Sequence, residues 1–192
     1  MTRIGIILGS TRPNRNSESV GRWVLEHTAG HDASFEIIDL REHALPFFDE
    51  PLPPMAGQYQ NPHTRAWAEL ISSFDGFVVV TPEYNHAPSA VLKNALDYLY
   101  AEWNNKAVGF VSYGMLGGVR ATEQLRLVAG ELQMADVRAQ VALSMVSDFE
   151  NFSEFRPAAR HEGDLQALLG QVVSWSRALA PLRQAGPVAA TV

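Results

Sequence analysis

The sequence predicts an α/β domain built on a doubly wound parallel sheet, with five strands alternating with five helices. Three observations carry this: short apolar runs at regular spacing, apolar periodicity of helical type between them, and glycine or proline at the joints. The chain has 192 residues, 46% hydrophobic and 19% charged. That is enough for one core and too little for two sizeable α/β domains. Residues 1–184 are therefore expected to form one domain. The uncharged stretch 185–192, rich in Ala, Gly, Pro and Val, is expected to be a flexible tail.

Each element follows from local chemistry. Ile4 to Leu8 is a nearly continuous apolar run stopped by Gly9, as in a strand buried on both faces. Ser17 to Ala29 carries Val20, Trp23, Val24 and His27 at helical spacing, with Gly30 as a stop. Phe35 to Leu40 reads as the second strand. An irregular stretch, Arg41 to Gln60, holds four prolines and Phe47-Phe48. Asn61-Pro62 supplies an N-cap and a first-turn proline for a helix to Ser73. Phe77-Val78-Val79-Val80 is the clearest buried strand, followed by a helix from Pro88 to Trp103. Ala107 to Val111 is the fourth strand, and a helix from Gly117-Gly118 to Met134 leads to a fifth strand, Val137 to Leu143. Leu165, Leu168, Leu169, Val172, Val173 and Leu179 mark the last helix.

Composition excludes several functions. The net charge of -6, with no Lys/Arg-rich block, argues against nucleic-acid binding. Zero cysteine removes disulfides, thiolate metal sites and cysteine nucleophiles, and fits a cytoplasmic protein. No apolar run approaches the roughly 18 residues of a membrane span. The N-terminus, with Arg12 and Arg15 where a cleavage site would fall, is not expected to be a signal peptide. His27 and His31 lie four apart at a helix end without H-E-x-x-H, so no metal is expected. There is no G-x-S-x-G nucleophile elbow.

Doubly wound sheets bind ligands beyond the carboxyl ends of their strands, where the winding reverses. In a three-layer sandwich of strand order 2-1-3-4-5, this selects the loops after strands one, three and four. The first, Gly9 to Ser19, collects hydroxyls, amides and two guanidiniums at a helix start, the chemistry of an anion site; a plain N-cap is the alternative. It has neither G-x-G-x-x-G nor G-x-x-x-x-G-K-[ST]. Gly9-Ser10 and Thr81-Pro82 stand where a receiver domain needs acidic residues. The second loop, Thr81 to Ala87, sets Tyr84 at a strand end where a flat heterocycle could lie; a turn before a helix explains it equally. The third, Ser112 to Gly118, is glycine-rich, so its backbone can approach a ligand, or it simply starts a helix. Together the loops describe a phosphate at one end and a planar ring at the other. That is one mononucleotide, for which FMN is the natural occupant of such a sheet.

At these residues the chain resembles the NAD(P)H-dependent FMN reductases of flavodoxin-like fold. The resemblance runs from Ile4 to about Leu127. It rests on Gly9-Ser10-Thr11-Arg12, on Pro82-Glu83-Tyr84-Asn85 followed by Leu92-Lys93-Asn94-Ala95-Leu96-Asp97, and on Gly114 through Gly117-Gly118 with Arg120. It implies that Ser10, Arg12 and the segment Ser17-Glu18-Ser19 hold the FMN phosphate, with Arg15, Asn16 or Ser17 completing that site. Pro82, Glu83, Tyr84 and Asn85 would wrap the isoalloxazine, and Ser112, Tyr113 and Gly114 would line its pyrimidine side. Pro88 stands one place earlier than the family's Y-N-x-x-x-P pattern, which leaves the next helix start open.

The implied function is transfer of two electrons from NADPH or NADH through FMN to a flavin, quinone, azo or similar small-molecule acceptor by a ping-pong mechanism. A non-enzymatic electron carrier or a flavin-binding regulator is the alternative. No side chain is expected to be the essential catalyst. Backbone N–H groups of Ser112 to Gly118 are expected to favour negative charge near the ring's N1 and O2, and Arg15 and Arg120 to contact a 2′-phosphate. His86 could donate a proton or merely cap. Trp23, Trp67 and Trp175 are expected in the core. Phe47-Phe48 with Tyr98, Tyr100 and Trp103 are expected partly at the interface of a homodimer or homotetramer.

Overall fold

The computed structural model describes residues 1–184; the tail expected from Ala185 onward lies outside the described residues. Five parallel strands form one sheet in the order β2-β1-β3-β4-β5. They are β1 (Arg3–Leu8), β2 (Ser34–Asp39), β3 (Gly76–Pro82), β4 (Ala107–Gly114) and β5 (Ala135–Ser144). Helices α1 (Ser17–Glu26), α2 (Pro62–Ser72), α3 (Ala90–Asp97), α4 (Val119–Glu131), α5 (Arg160–Ala178) and α6 (Ala180–Gln184) complete the main chain of elements. No described helix is long and apolar enough to cross a membrane.

The sheet separates two cores, because alternate side chains of a strand point to opposite faces. On one face Ile7, Val79, Phe77 and Phe110 pack under α2, α3 and α4 through Trp67, Ile71, Leu92, Leu96 and Leu125. On the other, Ile6, Leu8, Val78, Val80 and Val111 meet Val20 and Val24 of α1 and Leu165, Leu168 and Val172 of α5. Every residue of β3 is buried, which explains its unbroken apolar run. The chain leaves β1 for one side of the sheet and reaches β3 on the other, so the loops after β1 and β3 diverge and open a crevice.

Several expected boundaries move, each for a local reason. The helix expected over Pro88 to Trp103 is shorter. Ser89 is its N-cap, accepting from Leu92 N–H at 3.2 Å, and it ends at Asp97. Its closing carbonyls turn to tertiary partners: the indole N–H of Trp67 donates to Ala95 O and that of Trp103 to Leu96 O. Tyr98 and Trp103 are consequently in the core, at 0% and 1% exposure, not at an interface. Phe47 is 86% exposed, and Trp175, expected in the core, is 45% exposed. The helix α4 begins at Val119 because Gly117 and Gly118 both take positive φ (74° and 71°). At Gly118 a Cβ would meet Tyr113 N at 2.9 Å and Tyr113 O at 3.0 Å, so the position excludes side chains on both counts.

A two-stranded antiparallel hairpin, β6 (Phe149–Glu150) and β7 (Glu154–Phe155), was not expected. It turns at Asn151 and Phe152, both left-handed. Buried Asp148 anchors it, accepting from Ser144 N–H and Ala158 N–H and facing His161 Nε2 at 3.0 Å.

Candidate functional site

The loop from Ser10 to Asn16 is shaped by a buried guanidinium. Arg15 donates to Ser10 O and Asp39 Oδ1, both at 2.7 Å, to Asp39 Oδ2, and to Glu18 Oε1 at 2.7 Å. Its side chain is 2% exposed. Burial raises the Asp39 carboxyl, but the Arg15 guanidinium and the Arg41 N–H more than offset that and hold it below the usual carboxylate range. Arg15 therefore braces the loop from beneath, with β2 as its abutment, and its donors are not free for a phosphate. The Glu18 side chain belongs to the same brace.

Arg12 is the opposite case. It is exposed, and among the described residues its guanidinium has no hydrogen-bond or ion-pair partner. Next to it α1 starts without a side-chain cap. Asn16, at the cap position, turns its amide away to Phe152 O at 3.2 Å and Met145 Sδ at 3.8 Å. The first helical bond is Val20 N–H to Asn16 O, so the amides before it lack that pairing. Ser17 Oγ is fully buried with the Tyr113 hydroxyl as its neighbour, whereas Ser19 already donates to Asn16 O at 2.9 Å. An open helix start and an unpaired guanidinium together suit an anion with several acceptor oxygens.

The second loop is a tight hairpin. Tyr84 and Ala87 exchange backbone hydrogen bonds of 2.9 and 3.1 Å, with Asn85 (φ 51°) and His86 (φ 70°) between them. Two left-handed residues in this place define a type I′ turn. Tyr84 Oη lies 2.9 Å from Ser10 Oγ and ties this loop to the first. Glu83 does not face outward. Its carboxylate accepts from the N–H groups of Arg120 (2.9 Å) and Ala121 (3.3 Å) and from the Arg120 guanidinium. Burial raises this carboxyl, and those partners outweigh it and keep it below its ordinary range. Glu83 thus caps α4, engaging the amides of Arg120 and Ala121 at its first turn. The same pairing commits Arg120, which, like Arg15, was expected at a 2′-phosphate.

In the third loop Ser112 donates to Gly117 O at 2.6 Å and holds the glycine turn closed. Tyr113 is 6% exposed and packs on Phe149; burial raises its hydroxyl pKa. Gly114 takes Gly117 N–H and Met145 N–H on its carbonyl at 3.0 and 2.9 Å.

Two hollows meet at Arg12 and Tyr84. The larger, about 580 Å³, lies between Ser10 and the apolar wall Leu45, Pro46, Phe47 and Val91. The smaller, about 210 Å³, is floored by Pro82, Tyr113, Gly114, Met115 and Met145. Ser10, Arg12, Arg15, Asn16, Pro82, Glu83, Tyr84, Tyr113 and Gly114 are thereby brought together along the two hollows, Arg15 and Glu83 being tied at the same time to Asp39 and Arg120, while Glu18 and Ser112 support them from behind. Asn85, fully in the turn, is exposed. The 45–47 wall and the two methionines carry no polar motif, so nothing in the sequence marked them. Asn94, in the family-like segment, holds that wall by donating to Pro46 O (2.7 Å) and accepting from Phe48 N–H (3.0 Å). A separate cavity of about 370 Å³ lies at the opposite end of the sheet against Lys106, whose amine burial pushes down to about 7.

Among the described residues no group of three or more His, Asp or Glu is placed to hold a metal. His27 and His31 are engaged with Trp23 O and Gln166 Oε1, both at 2.8 Å.

The strand order and crevice define a flavodoxin-like α/β sandwich with its ligand loops beyond β1, β3 and β4. Comparison with known proteins is specific: the chain belongs to the NADPH-dependent FMN reductase family, whose model matches residues 2–148. That family is one of oxidoreductase enzymes using FMN and NAD(P)H. An NAD(P)H-dependent FMN reductase of Schizosaccharomyces pombe is 39% identical over 175 residues, 88% of each chain. An FMN-dependent NADPH-azoreductase of Staphylococcus aureus is 32% identical over 170 residues, 81% of this chain and 88% of that one. Among solved structures, a flavoenzyme NAD(P)H:(acceptor) oxidoreductase from Paracoccus denitrificans superposes with a TM-score of 0.72 at 17% identity, covering 93% of this chain and 98% of that one.

Proposed function

We propose that this chain binds one FMN and passes two electrons from NAD(P)H to a small, flat acceptor such as a quinone, a free flavin or an azo compound. The observation that carries this reading is the start of α1 without a side-chain cap, close in sequence to Arg12, whose guanidinium is unpaired among the described residues and which lines both hollows. These groups, with Ser10, would hold the phosphate. Pro82 to Asn85 and the Tyr113–Gly114 backbone would bound the ring, and Tyr84 would set its depth through its hydroxyl bond to Ser10. FMN, when bound, supplies the electron chemistry.

The protein's own part is position and exclusion of water. The wall of Leu45, Pro46 and Phe47 offers an apolar face to a flat donor or acceptor, and the Asn94 clamp keeps that wall in place. One groove serving both substrates in turn leads to ping-pong kinetics, with parallel double-reciprocal lines when both are varied. Phe47, exposed on the rim, is a natural contact for a second copy in a homodimer or a homotetramer.

Anaerobic mixing of the FMN-loaded protein with NADPH tests the enzyme reading. Rapid loss of the yellow flavin absorbance is expected. A flavin that stays oxidised would instead favour an electron carrier or regulator and overturn the proposal.

A further inference from the structure

Four hydroxyl groups from three loops gather where the two hollows meet. Ser10 Oγ lies 2.9 Å from Tyr84 Oη, and the Tyr113 hydroxyl neighbours both Ser10 and Ser17. Ser10, Ser17 and Tyr113 are buried, while Tyr84 is partly exposed and lines both hollows. A serine oxygen accepts two hydrogen bonds and donates one. Ser10 Oγ already accepts from Arg12 N–H at 3.4 Å. Either hydroxyl of the Ser10–Tyr84 pair is able to donate, and the choice decides what Ser10 presents to a ligand. If Ser10 gives its proton to Tyr84, a bare lone pair faces the ligand and repels an anion. If Tyr84 donates to Ser10, both lone pairs are filled and the Ser10 O–H is left to offer.

We infer that Tyr84 is a positioning residue for the phosphate: its hydroxyl donates to Ser10 Oγ and so turns the Ser10 proton toward the anion. The oxygens of a phosphate dianion are strong acceptors. A hydrogen bond to them is charge-assisted, about twice as strong as one between neutral groups. A bound phosphate therefore takes the Ser10 proton in preference to the neutral oxygens of Tyr84 and Tyr113. The Tyr84 proton then has Ser10 Oγ as its acceptor, and hydrogen bonds in such a chain strengthen one another. The local backbone keeps Tyr84 in place for this. Its N–H and carbonyl are paired with Ala87, and the preceding Glu83 is tied to α4. A residue of the ring-side loop thus acts on the phosphate end of the ligand through one serine.

This inference rests on the FMN reading, and its test separates the two. Apoprotein is titrated with FMN, following flavin fluorescence, as wild type, Tyr84→Phe, Ser10→Ala and the double variant. Phenylalanine keeps the aromatic ring and removes only the hydroxyl. Tyr84→Phe is expected to lose about fivefold in FMN affinity, the scale of one hydrogen bond. In the Ser10→Ala background the same change is expected to cost less than about twofold, because the serine through which Tyr84 acts is gone. Riboflavin, which lacks the phosphate, should bind wild type and Tyr84→Phe alike. No loss in the single variant, a loss that persists without Ser10, or an equal fall for both flavins would overturn the role of Tyr84 and leave the FMN site standing. The variant cycle is read from FMN alone, so it decides the matter however weakly riboflavin binds. Absence of FMN binding by wild type would overturn both readings.

Discussion

Replacing Arg15 with alanine should destabilise the protein by about 3–5 kcal/mol, the cost of breaking a buried ion pair by removing one partner. The substitution leaves Asp39 and Ser10 O without their main donor in the hollow beneath the first loop. Chemical denaturation would read this as a large fall in the unfolding midpoint, with FMN affinity falling as the loop loosens. The pair also contributes to acid sensitivity. Asp39 is held below its ordinary range, so its stabilisation is present above about pH 4 and is lost as the pH falls through the lowered value. Alanine at position 15 should flatten that part of the acid-unfolding curve. A variant as stable as wild type would show that Arg15 does not brace the loop.

Arg12→Ala should behave in the contrary way. Its side chain is exposed and unpaired, so stability should change by less than about 0.5 kcal/mol. FMN affinity should fall about ten- to hundredfold, because a charge-assisted hydrogen bond to a phosphate is worth about 1.5–3 kcal/mol. Fluorescence titration of the apoprotein measures it. Unchanged FMN affinity in this variant would remove Arg12 from the phosphate site.

These two arginines also show where sequence reading stops. Both stand in one polar loop, three residues apart, and composition cannot rank them. What separates them is Asp39, 24 positions away at the end of β2, which captures one and leaves the other free. Glu83 is similar: in the loop it looks like a ring contact, but its partner Arg120 lies 37 positions on. Tyr98 and Trp103 read as more aromatic bulk than one small core takes. They are buried because α3 ends early and an indole N–H takes one of its last carbonyls.

The fold was more legible, since strand and helix periods are local properties. The run Phe77 to Val80, with the glycines that close β1 and β4 and the proline that closes β3, was enough to place the sheet, and the winding rule then selected the loops. The β6–β7 hairpin escaped because Phe-Glu-Asn-Phe-Ser-Glu-Phe is too short an alternation to stand out. The sequence marks the polar lining of the site, and tertiary pairing decides which polar groups face the ligand.

The central claim is that a phosphate at the start of α1 anchors a flavin lying against the second and third loops. Calorimetric titration of the apoprotein with FMN and, in parallel, with riboflavin tests it most directly, because the two ligands share the ring and differ in the phosphate. The account predicts one FMN per chain and riboflavin bound at least about tenfold more weakly, one charge-assisted contact being worth that much. Equal affinities, or no binding of either flavin, would contradict it.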